Sequence, residues 1–135
     1  ELGRLGIEGP VRAALAAVRE CLFIWDIEGP GDRIVLEAVE ATETWLGDSR
    51  LLPNAELKAV RESAAQVRGR ARTLALAAAR MSQAVVEGKE ELAVNAVLTA
   101  ALAISTEDSE AAEEAGRQTI LSAIRTAVLP WILQP

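Results

Sequence analysis

The sequence predicts an all-α protein, a compact bundle or orthogonal array of about six helices with short loops. Three observations carry this. Half of the 135 residues are hydrophobic, with Ala and Leu dominant and aromatics only 3%. Together with Glu and Arg these are helix formers, and strand-favouring residues do not alternate. Apolar residues recur at steps of three and four, and Gly or Pro interrupts them at helix-length intervals. No linker or low-complexity tract divides the chain, so residues 1–135 read as a single helical domain, with 1–9 irregular and 130–135 a tail.

The first helix is expected from Pro10, a residue favoured at a first helical position because its missing N–H would be unpaired there. Val11, Leu15, Val18, Leu22 and Trp25 give it one apolar face, to about Asp26. The tetrapeptide Ile-Glu-Gly-Pro occurs at 7–10 and again at 27–30. Both copies read as a Gly-Pro break just ahead of a helix, a repeated structural device and not a repeated site. After the second copy, Asp32 is placed to cap a helix faced by Ile34, Leu36, Val39 and Trp45 and stopped by Gly47. Asn54 is the expected N-cap of the third helix, whose face is Leu57, Val60, Ala64 and Val67. Gly69 either ends that helix or sits within a longer one.

Leu74, Ala78, Met81 and Val85 mark the fourth face, ended by Gly88. Leu92, Val94, Val97, Leu98, Ala101 and Leu102 mark the fifth. Ser105 with Asp108 resembles a capping box opening the last helix. The acids Glu107, Asp108, Glu110, Glu113 and Glu114 suit a helix N-terminus. Ile120, Leu121, Ile124 and Val128 continue this helix until Pro130 blocks it.

Composition removes several chemistries. The chain has no His and one Cys, so a Ser-His-Asp triad, a Cys-His pair, a Glu-x-x-His di-iron bundle and ordinary zinc sites are ruled out. No nucleophile motif is present, and no catalytic residue, cofactor or metal ligand is assigned; the chain reads as no enzyme. Net charge is −6, which disfavours nucleic acid as a partner. The lone Cys21 cannot staple the chain and falls in an apolar helical pattern, no apolar run is long enough for a membrane span, and the start lacks the blocks of a signal peptide. A cytoplasmic protein is expected. The first residue is not Met, which suggests a processed or truncated piece of a longer chain.

Charge is unevenly spread. Lys58, Arg61, Arg68, Arg70, Arg72 and Arg80 form a basic stretch that meets only Glu62; its ordinary role is pairing with acidic helices of the same protein. The acidic counterpart runs from Glu20 to Asp48. On the second helix Glu37, Glu40 and Glu43 step by three, read here as one acidic side that either solvates the helix or attracts a basic protein. Trp25, Trp45 and Trp131 each sit near a helix end, as core lids or, where exposed, as partner anchors. Trp131, after Pro130, is the best placed for exposure. The alanines at 75, 77, 78, 79, 93, 96, 100 and 103 permit close helix packing, within the chain or in self-association.

The stretch from Gly29 to Arg50, reading GPGDRIVLEAVEATETWLGDSR, resembles the predicted Imm5-like all-helical immunity proteins of bacterial toxin–immunity systems. Asp32, Ala38, Val39, Glu40, Ala41 and Trp45 occupy places similar to the family's turn and its following helix. The Ala- and Arg-rich run from Ala64 to Val85 looks like its later part. The resemblance spans about residues 12–104 and implies a helical protein that neutralises a toxin by binding it.

The leading expectation is therefore a protein-binding helical domain. Glu37, Glu40, Glu43, Trp45 and Trp131 are its candidate contacts, with a basic toxin as a possible partner. The alternative is a self-assembling structural or adaptor module, a homo-oligomer built on its alanine-rich faces.

Overall fold

The computed structural model describes residues 2–29, 31–48, 50–104 and 110–132, with side chains for 7–29, 31–48, 50–104 and 114–126. It is all-α. The helices are α1 (Leu2–Glu20), α2 (Leu22–Glu28), α3 (Ile34–Gly47), α4 (Asn54–Gln66), α5 (Gly69–Glu87), α6 (Glu90–Ile104) and α7 (Glu110–Ile132). A turn at Cys21 separates α1 from α2: its N–H donates to the Val18 carbonyl at 3.0 Å and its own carbonyl accepts from Ile24 at 2.9 Å. Sequence periodicity runs through this break, which is why the two read as one helix.

α5 is the central element, packed by α1, α2, α3, α4 and α6, while α7 lies across α1 and α6. The join left open at Gly69 is a break, with α4 ending at Gln66. Gly88 ends α5 in the left-handed region at φ 66°, where a residue without Cβ is unstrained. The Lys89 N–H then returns to the Ala84 carbonyl at 3.1 Å.

Alanine dominates the buried faces of α5 and α6. Ala75, Ala77, Ala78, Ala79, Ala93, Ala96, Ala100 and Ala103 are all buried within the chain. Small side chains let the two backbones approach closely. These alanines are therefore not available for self-association, and that role does not hold for them. Cys21 enters the same core, its thiol donating to the Ala100 carbonyl at 3.4 Å. α6 departs in part from the sequence reading: Ala101 is buried and Leu92 and Val97 pack against the core as expected, but Val94, Leu98 and Leu102 are exposed, Leu98 at 56%, while Ala93, Ala96, Ala100 and Ala103 face inward.

The two Ile-Glu-Gly-Pro copies do different work. At the second, Gly29 closes α2 by donating to the Trp25 carbonyl at 3.0 Å. A Cβ on Gly29 would collide with that carbonyl oxygen and lie 2.9 Å from the indole ring, so the close approach requires glycine. The Trp25 indole N–H donates to the Asp32 carbonyl at 3.0 Å and to its Oδ1 at 3.2 Å. The same Oδ1 accepts from the Ile34 N–H at 3.1 Å, so Asp32 satisfies a free N–H of the first turn of α3 as expected, although Arg33 holds the N-cap position.

The first copy lies inside α1, which contains Pro10 in its interior. Residues 2–9 are thus helical, not irregular. Ile7 is buried one turn before Val11, and Glu8 pairs with Arg12 at 3.1 Å across the proline. Burial of Ile7 and this pair work against the cost of the lost backbone bond.

α7 likewise runs past Pro130 to Ile132, so Pro130 and Trp131 belong to its last turn and not to a tail. α4 begins at Asn54 with Pro53 as its N-cap and no side-chain cap bond, one residue earlier than the sequence suggested. The expected capping box at Ser105 and Asp108 lies outside the described residues.

Candidate functional site

Sequence spacing grouped Glu37, Glu40 and Glu43 on one side of α3. A helix turns about 100° per residue, so three positions at steps of three sweep through about 120°. The structure shows the consequence. Glu43, half-buried, turns towards α1 and accepts a 2.5 Å bond from Arg19. Glu40 is exposed and lies 3.7 Å from Arg33. Glu37 turns the other way, towards α4, where it lines a hollow. The three carboxylates do not form one face, and only Glu37 is without a counter-ion among the described residues. Trp45 is 3% exposed and part of the core, so it offers no surface to a partner. The Trp131 side chain lies outside the described residues.

Between α3 and α4 two adjoining hollows share Ile34 and Ala59 as a common wall. One, about 270 Å³, is lined by Asp32, Glu62, Ser63, Gln66 and Val67 in addition to the shared pair. The other, about 210 Å³, adds Glu37, Ala55 and Glu56. Four carboxylates thus line one groove with an apolar floor, and none of the lining residues is a cation. Asp32 is committed to the Ile34 N–H. Glu37, Glu56 and Glu62 make no ion pair with any described residue.

Many acids elsewhere are matched, though Glu20, Asp26, Glu90 and Glu91 make no ion pair with a described residue. Glu8 meets Arg12, Glu28 meets Arg70, Asp48 meets Arg50, Glu87 meets Lys89 and Glu114 meets Arg117. The basic stretch makes few of these matches: Arg70 pairs with Glu28, and Arg80 donates to the Thr99 hydroxyl at 2.5 Å. Lys58, Arg61, Arg68 and Arg72 are exposed.

A wider, open hollow of about 560 Å³ lies between α1 and α7, against Arg19, Glu20, Thr119, Ser122 and Thr126. Its groups are largely spoken for. Arg19 is tied to Glu43, and the Thr119 and Thr126 hydroxyls donate to the Ala115 and Ser122 carbonyls. Cys21 is fully buried, and burial, with the Glu20 charge adding to it, pushes its thiol up to about 12. A thiol held protonated in this way is a packing group and not a nucleophile.

Glu56, Glu62 and Ser63 escaped the sequence reading, which placed Glu62 inside the basic stretch. The signal was faint: Glu56, Ala59, Glu62, Ser63 and Gln66 spread over about 120° of α4, as wide a sweep as that of the α3 glutamates. It acquires meaning only when α3 lies beside it. Comparison of the chain with protein-family models, with curated proteins and with solved structures finds no match. Among the described residues, no helix is long and apolar enough to cross a membrane.

Proposed function

We propose that this chain is a non-enzymatic binding domain whose acidic α3–α4 corner takes up a basic surface of another protein. The observation that carries this is the gathering of Glu37, Glu56 and Glu62 around one groove with no cation lining it. Ion pairs neutralise many acids on other faces, while Glu37, Glu56 and Glu62 share one groove without a counter-ion among the described residues, and complementary charge speeds and selects encounter. Neutralisation of a toxin in the manner of an immunity protein is the finer form of this reading, and it rests on the resemblance in residues 12–104. The test is affinity for a captured basic partner. Glu37→Lys with Glu56→Lys should weaken it at least tenfold with helicity unchanged by circular dichroism. Unchanged affinity would refute the acidic corner.

Self-assembly is favoured by a different observation, the exposed stripe Val94, Leu98 and Leu102. A second copy laid antiparallel sets Leu98 against Leu98 and Val94 against Leu102, and it keeps the Glu90–Glu91 ends apart. Sedimentation velocity across a wide concentration range separates the two readings: a strict monomer removes this one.

A further inference from the structure

The acidic corner is not a flat charged surface. Its apolar floor and its two separate hollows suit cations that carry a hydrocarbon stem. Ile34 and Ala59 sit between the hollows, with Ala55 at one end and Val67 at the other. Glu37 and Glu56 line one hollow; Glu62 lines the other. Along α4, Glu56 and Glu62 are about 9 Å apart at a helical rise of about 1.5 Å per residue. Lys and Arg side chains bury their methylene stems on apolar surface and direct the charged head to carboxylates or water.

A second, independent observation comes from Ser63. It is only 7% exposed, lines the hollow beside Glu62, and makes no side-chain hydrogen bond with the described residues. Unlike that of Ser82, its oxygen is not fully enclosed. Here the open side is the hollow itself, where the oxygen can accept from an entering N–H donor.

From the cavity, its uncompensated carboxylates and this unpartnered hydroxyl, we infer that the α3–α4 groove is a receptor for a basic peptide segment. Two of the segment's Lys or Arg side chains enter separately. One head lies at Glu37 and Glu56; the other lies at Glu62 and Ser63. The stems cover Ile34, Ala55, Ala59 and Val67. This rests on the acidic-corner reading and adds to it the chemistry of what enters.

The test uses the purified chain and two capped probes, hexalysine and hexa-diaminopropionate, at a pH low enough for both to carry the same charge; the latter has one methylene per side chain. Titration is followed by amide chemical shifts. Hexalysine should shift residues 32–37 and 55–67, and should bind at least fivefold more tightly than the short-stemmed probe. Glu56→Gln with Glu62→Gln should lower hexalysine affinity at least tenfold, and Ser63→Ala should lower it two- to fivefold. Glu40→Gln with Glu43→Gln and Glu90→Gln with Glu91→Gln, each removing two charges, should change it less than twofold. Equal binding of the two probes, or equal loss in all three double variants, overturns the receptor groove. Loss confined to the Glu40 and Glu43 variant overturns the groove while leaving an acidic α3 contact in place. No shift with either probe overturns both.

Discussion

Two helix pairs in this protein meet in opposite ways. Along the α5–α6 seam, alanines on both helices are buried, Ala100 to 0%, and the charged group that reaches across it, Arg80, is satisfied by the Thr99 hydroxyl. Between α3 and α4 the helices meet at an open angle of side chains, with hollows and unmatched carboxylates left between them. The contrast shows where each pair's free energy lies. The seam holds the fold together and has no room to bind. The groove keeps charge that no described residue neutralises. Sites built for binding are expected to be under-satisfied in this way, since their partner supplies the missing contacts.

The largest expected effect lies in the core beneath both. Leu74→Ala, a fully buried side chain on α5, should cost about 2–5 kcal/mol in urea unfolding through lost transfer energy and a cavity. Overfilling the seam should cost somewhat less: Ala100→Leu adds volume where none is free and should lower stability by about 1–3 kcal/mol.

Cys21 links the seam to pH. Its thiol is pushed up to about 12 in the fold, against about 8.5 in an unfolded chain. The folded state therefore holds a proton that the unfolded state has lost between these values. The contribution is complete below about pH 8.5 and declines as pH rises through that window, by about 1.4 kcal/mol per unit. Urea midpoints from pH 8 to 10 should fall more steeply for the natural chain than for Cys21→Ala. Equal slopes would remove the thiol from the core.

Ser82 provides a smaller effect and a useful opposite to Ser63. Its hydroxyl is enclosed on α5 with no partner, in a place no ligand reaches. Ser82→Ala should therefore be neutral or stabilising by up to about 1 kcal/mol, and it should leave hexalysine binding unchanged. A loss of binding there would erase the distinction drawn between an enclosed unpaired hydroxyl and one that faces a groove.

The sequence made the helices legible because their periodicity is local. Gly47 and Gly88 end helices where expected, and Asp32 satisfies a first-turn N–H of α3. Burial direction was harder to read. In α6 both an alanine stripe and a Val-Leu stripe have helical spacing. The choice of alanine for the interior follows from how closely α5 lies, which no local pattern states. The same holds for Ile-Glu-Gly-Pro. At 27–30 the turn is fixed by Trp25 folding onto Gly29 and Asp32, while at 7–10 burial of Ile7 carries the helix through the proline.

For the site, acidity in α3 was visible but its geometry was not. Three glutamates at steps of three diverge around the helix, and Glu56, Glu62 and Ser63 join Glu37 only through tertiary packing.

The central claim is tested most directly by filling the groove without touching its charge. Ala59 is half-buried in the wall shared by the two hollows. Ala59→Leu should leave urea stability within about 0.5 kcal/mol, with α3 and α4 intact by amide shifts. Isothermal titration with capped hexalysine should then show affinity reduced at least tenfold, every carboxylate still in place. Full-strength binding by this variant, at unchanged stability, would contradict the account: charge alone, not a receptor groove, would be what draws the basic segment.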